Sequence, residues 1–320
     1  MKGARAGALL VCAALFAGCI SDPKPVYQDQ PVPKAIVTEY DSSLEPSAAV
    51  LALVPDAAST LTVTDFDHLR LVLGLGSLTS ASSAAERARF WQQVPGSASM
   101  SPGMLRPFEQ RLRSEFGFSQ DDVAWEATYG GQASGWVLAF HDKVPMESIE
   151  RAVTAGVGPL RGAVVDGERK LVTSAETPAV EESWGAVGGL LALVGRQAVA
   201  TYVERACIPF DAVFGTGMEA KLADAPRAAL RAIDELDSFA VALGGELATV
   251  QLGPGRADAF DRMRLADVMP PTEPEFGLVM SRGVADPSTG RLGYTLTDPA
   301  AAARLTKERQ LPFAVCRGGL

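Results

Sequence analysis

His68 and His141 are the only two histidines in 320 residues, so any imidazole chemistry must pass through them. Both stand beside carboxylates. Asp65, Asp67 and His68 have the residue types of a cation site. They equally suit the first turn of a helix, with Thr64 or Asp65 as cap and Asp67 at the positive end of the dipole, and that assignment is preferred. His141-Asp142 precedes Pro145. An imidazole beside a carboxylate suits acid–base work, whereas a polar pair closing a strand needs no ligand, and the strand end is the expected role. Asp121-Asp122 and Glu181-Glu182 would support glycoside chemistry only if partners converge on them; adjacent acids seldom point together, so solvated side chains are expected. Trp91, Trp125, Trp136 and Trp184 offer faces to a sugar or apolar ligand, with core packing the expected role for most. Glycine forms no phosphate loop. Gly156–Gly162 spaces its third glycine one residue too far for a dinucleotide fingerprint, and Gly131–Gly135 holds Ser134 off the spacing of a nucleophile elbow. No catalytic residue, metal ligand or cofactor is assigned.

The elements that position these residues follow a distinctive N-terminus. Lys2 and Arg5 open a short basic start, Ala6 to Ala17 is uncharged, and Ala17-Gly18 precedes Cys19. These are the three parts of a secretory signal, with an apolar run too short to span a bilayer. Leu15-Phe16-Ala17-Gly18-Cys19 resembles the lipobox of bacterial lipoproteins, with Phe16 where Leu is more usual. The resemblance implies cleavage before Cys19, acyl chains on its thiol, and residence on the outer face of the bacterial cell membrane. Ile20 to Lys34 carries prolines at 23, 25, 31 and 33 and reads as an extended spacer. The whole is similar to actinobacterial lipoproteins of unknown function; arginine far outnumbers lysine and no asparagine occurs.

Residues 1–18 are thus expected as signal peptide and 19–46 as anchor and linker. Loss of the signal removes Lys2 and Arg5 and moves the formal charge from -9 to -11. Such a body repels phosphate backbones and anionic lipid, so nucleic acid is not a partner and the membrane is met through the acyl chains on Cys19. In an exported chain Cys207 and Cys316 are an even pair and are expected to form a disulfide, two buried thiols being the alternative.

The body reads as α+β. Strands are expected at Thr60–Thr64, Gly135–Phe140 and Leu190–Val194, with hairpins over 162–174, 239–252 and 276–297. Helices are expected from Asp65 and over 84–93, 105–116, 146–155, 226–236, 258–268 and 298–309. A short helix capped by Ser119-Gln120-Asp121-Asp122 carries Val123, Trp125 and Ala127, and Gln197–Cys207 is amphipathic. Arg196 and several glycines argue against a membrane span over 185–203. Strand pairs alternating with single helices suggest antiparallel sheets covered by helices, in two related lobes at 47–208 and 209–320. Three functions fit: non-enzymatic binding of a small ligand or envelope component, which is preferred; hydrolysis of envelope polymers through carboxylates; or a structural or assembly role. Acids converging in one pocket, one of them with a raised pKa, would favour hydrolysis. A broad apolar surface without a pocket would favour assembly.

Overall fold

A computed structural model describes residues 36–318; the signal sequence, Cys19 and the proline-rich spacer lie outside the described residues. Ten strands form one antiparallel sheet: β1 Ala58–Asp65, β2 Val123–Gly131, β3 Gly135–Phe140, β4 Val164–Asp166, β5 Leu171–Thr173, β6 Ala200–Glu204, β7 Phe239–Leu243, β8 Leu247–Gln251, β9 Met280–Asp286 and β10 Arg291–Leu296. Their order across the sheet is β4-β5-β3-β2-β1-β6-β7-β8-β10-β9. Outward from the β1–β6 junction, the two halves repeat one pattern. Three strands follow in chain order, and the last two are exchanged. The principal helices are α1 Phe66–Val72, α2 Ala84–Gln93, α3 Met146–Thr154, α4 Asp224–Ala232, α5 Ala259–Val268 and α6 Pro299–Lys307.

Alternation along β1 sets the layers. Leu61 and Val63 are buried toward a smaller core with Trp125, Ala127, Val137 and Val203, under the segment Val50–Val54 and Trp184. The opposite face carries the larger core, where Phe66, Phe90, Leu138, Phe239 and Phe313 pack beneath the helices. Helix starts are locally encoded. Asp65 accepts the His68 N–H at 2.8 Å, Ser83 and Glu86 form a reciprocal box, and Asp298 accepts the Ala301 N–H at 2.9 Å.

Several expectations change. Val123, Trp125 and Ala127 lie on strand β2, and Ser119 caps only a 3-10 turn over Gln120–Asp122. Trp125 and Ala127 keep the strand period on the smaller-core face, while a register shift turns Val123 to the larger core, and all three are buried. Leu105–Phe116 is not one regular helix but a 3-10 turn, an α turn and a π turn, closed by Gly117 at φ 81°. Leu190–Val194 is no strand; Leu191–Leu193 forms a 3-10 turn. The strand comes later, as β6 inside the segment read as amphipathic. β6 is central and every one of its residues is buried, so no polar face marks its period. The hairpin strand expected from Phe276 begins at Met280, after a helical turn over Phe276–Val279. No helix among the described residues is long and apolar enough to cross a membrane.

The two expected lobes are joined in one sheet. Residues 36–318 belong to a single compact unit, and β6 pairs with β1 on one side and β7 on the other. The Cys207–Cys316 disulfide is present, with Cα atoms 4.8 Å apart. Beside it the Ile208 N–H donates to Ala314 O at 2.8 Å and the Cys316 N–H to Ile208 O at 2.9 Å, so the tail is fixed by backbone as well as by sulfur.

Candidate functional site

Because β1, β2 and β3 are consecutive antiparallel neighbours, the C-terminal ends of β1 and β3 lie at the same end of the sheet. Asp65 and Asp67 therefore come beside His141, which follows β3. His141 Nε2 lies 2.8 Å from Asp67 Oδ1. The same carboxylate oxygen accepts from Arg70 Nη1 at 2.6 Å, and Arg70 Nη2 donates to the carbonyls of Asp121 and Val123 at 2.9 and 3.1 Å. The Arg70 side chain is wholly buried, while Asp67 is about half exposed (48%) and His141 is at 23%. A carboxylate can only accept, so Nε2 carries the proton of this bond. Nδ1 has no hydrogen-bond partner among the described residues.

This pair sits in a cleft of about 1270 Å³. Asp65 and Trp125, register partners on β1 and β2, belong to its floor. Tyr40 stands over them, its ring centroid 6.5 Å from that of Trp125. The loop before α3 adds Asp142 and Lys143, and the β4–β5 turn adds Glu168 and Lys170. Lys170 Nζ is turned toward Val144 O at 3.4 Å.

Electrostatics separates the two aspartates. Burial pushes the Asp65 carboxyl up to about 6, against the stabilising His68 N–H and with help from the negative charge of Asp67. Burial acts on Asp67 in the same sense, but the His141 hydrogen bond and charge, together with Arg70, outweigh it and hold this carboxyl below the usual range. One acid with a raised pKa thus shares the cleft with an ionised one.

The expected clusters resolve differently. Asp65, Asp67 and His68 do not converge on a shared cation, since Asp65 caps the helix and Asp67 turns to His141. No group of three potential metal-ligating side chains occurs among the described residues. His141 pairs not with Asp142 but with a residue 74 positions earlier. Asp121 and Asp122 point apart. Asp121 is fully buried and accepts from Trp91 Nε1 at 2.7 Å, whereas Asp122 borders the cleft and accepts from the Ser80 N–H at 3.0 Å. Among the tryptophans, Trp91 and Trp184 are core residues and Trp125 borders the cleft. No serine or cysteine hydrogen-bonds His141 among the described residues. The sequence signal for Asp67–His141 was topological only, two polar residues just beyond the ends of strands that share one edge of the sheet.

In comparisons with known proteins, the chain matches no family model, no curated protein and no solved structure.

Proposed function

We propose that this protein is an extracytoplasmic lipoprotein, tethered by acyl chains on Cys19, that binds a small ligand in the cleft around His141. The cleft carries the reading. It is large enough for a small molecule, it mixes aromatic and polar walls, and it presents the unpartnered Nδ1 of an imidazole fixed through Nε2. Several of its polar groups are oriented by contacts that a merely solvated surface would not need. The described chain enters at Ile36, and by Glu39 it is already at the rim of the cleft, so the proposed tether and the site are close in sequence.

Hydrolysis of an envelope polymer is the second reading, and one observation favours it. Asp65, with its carboxyl raised to about 6, shares the cleft with the ionised Asp67, as an acid and a base on one substrate would. The N-cap bond of Asp65 to His68 gives that carboxyl a structural duty already, which keeps binding as the preferred function.

Two measurements test the proposal. Cells carrying Cys19→Ser, fractionated and labelled with a clickable fatty acid, are expected to lose both label and membrane retention; a mutant that still labels and pellets with membranes overturns the anchor. Native mass spectrometry of protein extracted from its own envelope is expected to show a bound small molecule that His141→Gln or Tyr40→Ala releases. If the extracted protein carries no ligand, or one that both variants retain, the cleft is not the binding site.

A further inference from the structure

The smaller core ends where its covering segment ends. Over β1, β2 and β3 this sheet face lies beneath Val50–Val54 and Trp184. Over β7, β8 and β10 the cover stops at the turn Ala192–Arg196. Ala240 on β7 is still covered, and beyond the turn the same face carries Ala242 on β7, Thr249 on β8 and Gly293 on β10 in one row, with Gln251 and Arg291 in the next. The step between cover and bare sheet leaves a depression of about 280 Å³.

Its polar rim is cationic, although the chain as a whole carries a formal charge of -9. Arg196 and Arg291 both border it, and among the described residues no carboxylate does. Neither guanidinium forms an ion pair among the described residues, in contrast to Arg205, Arg256 and Arg262, which all meet aspartates. Arg291 is nonetheless held. Its Nε donates to Gln251 Oε1 at 3.2 Å, and Gln251 Nε2 donates to Thr289 O at 3.1 Å. The two terminal amino groups of Arg291 are left without a hydrogen-bond acceptor among the described residues. On the other side, the Gly195 N–H donates to Ser47 Oγ at 3.1 Å and fixes the turn that carries Arg196. Leu193, Val194 and Ala242 supply the apolar wall.

We infer that this depression is a second binding site, separate from the His141 cleft, for a small oxyanion with a short apolar body. Two guanidinium forks match the paired oxygens of a carboxylate or phosphate. The apolar wall takes the body, and the volume of about 280 Å³ limits the ligand to roughly ten heavy atoms. The inference does not depend on what the cleft binds.

Isothermal titration of the full-length protein in neutral detergent, at low salt, tests it with two probes, butyrate and inorganic phosphate. One-site saturable binding is expected, weakened about tenfold or more by Arg196→Ala and by Arg291→Ala. Gln251→Ala weakens it less, because Arg291 keeps its charge and loses only its orientation. Both arginines are exposed, so unchanged melting temperatures are expected to accompany the loss. Tighter butyrate identifies a carboxylate ligand with an apolar body, and tighter phosphate identifies a phosphoryl ligand. Asp142→Asn, in the other cleft, is expected to leave both isotherms unchanged. The site is refuted if neither probe saturates, or if binding survives both arginine substitutions.

Discussion

Asp67 joins two residues of opposite character through a single oxygen. Oδ1 meets the solvent-reaching imidazole of His141 at 2.8 Å and the wholly buried guanidinium of Arg70 at 2.6 Å. Arg70 is anchored in turn on two backbone carbonyls at the start of β2. The orientation of the imidazole therefore depends on the packing of α1 against the sheet.

Removing that oxygen separates stability from binding. Asp67→Ala is expected to lower stability by about 2–3 kcal/mol, because a buried guanidinium loses a charged partner. His141→Gln costs about 1 kcal/mol at most and abolishes retention of the cleft ligand. His68→Gln, whose residue contributes its backbone N–H to the cap, changes neither stability nor binding measurably. Urea melts of the three variants, each paired with native mass spectrometry, check the set. Equal effects from the two histidine variants would contradict it.

Asp65 makes stability depend on pH in a defined sense. Its carboxyl rises from 3.8 to about 6 in the fold, so the protonated form favours folding. That contribution is complete below about pH 4 and is lost as pH rises through about 6. Asp65→Asn keeps an acceptor for the His68 N–H and removes the titration. Wild-type melting temperature is expected to fall relative to the variant between about pH 4 and pH 7. Parallel curves would show that Asp65 is not desolvated.

Glu126 gives a second, higher window. It lies on β2 at 2% exposure and forms no ion pair among the described residues. Burial raises its carboxyl from 4.5 to about 7, against hydrogen bonds from the Met104 N–H and Gln120 Nε2, both at 3.1 Å. Stability from the protonated form is present below about pH 4.5 and lost as pH rises through about 7. Glu126→Gln is expected to be more stable than wild type at pH 8 and to draw level near pH 4. Denaturant titrations at both values decide it.

The disulfide closes a separation of 109 residues. In the chain-entropy account, its loss removes roughly 4–5 kcal/mol. Cys207→Ser with Cys316→Ser is expected to lower stability by that order, with the tail still held by the backbone bonds around Ile208. Non-reducing peptide mapping should recover one linked peptide from wild type. Two freely alkylated peptides would disprove the bond.

Local chemistry made much of the fold legible. Caps at Asp65, Ser83 and Asp298 and the Gly244-Gly245 turn between β7 and β8 mark their elements with residues a few positions apart. Central strands were harder, since β6 is buried throughout and Val123–Ala127 follows a cap that serves one turn only. The site was least legible. His141 and Asp67 meet through strand order, and no property of either residue's neighbours announces the other. The disulfide was legible because only two cysteines remain in the body of the chain.

The repeated strand order has a consequence for how such a chain can assemble. β1 and β6 pair about Thr62 and Tyr202, and the two junction bonds mirror each other: the Asp65 N–H donates to Val199 O, and the Arg205 N–H to Ser59 O. A chain with the first half alone would present β1 as a free edge. Two copies meeting about Thr62 would set Leu61 opposite Val63 and Thr60 opposite Thr64, keeping apolar and hydroxyl side chains on their own faces. The centre of this sheet thus has the register of a two-fold strand pairing carried within one chain, and linkage in one chain leaves its two sides free to differ as identical subunits cannot. One side ends in the open Asp67–His141 cleft, and the other is closed by a sulfur bridge to the tail. Sedimentation of the isolated first half reads this directly, with a dimer as the expected species and a stable monomer as the contrary result.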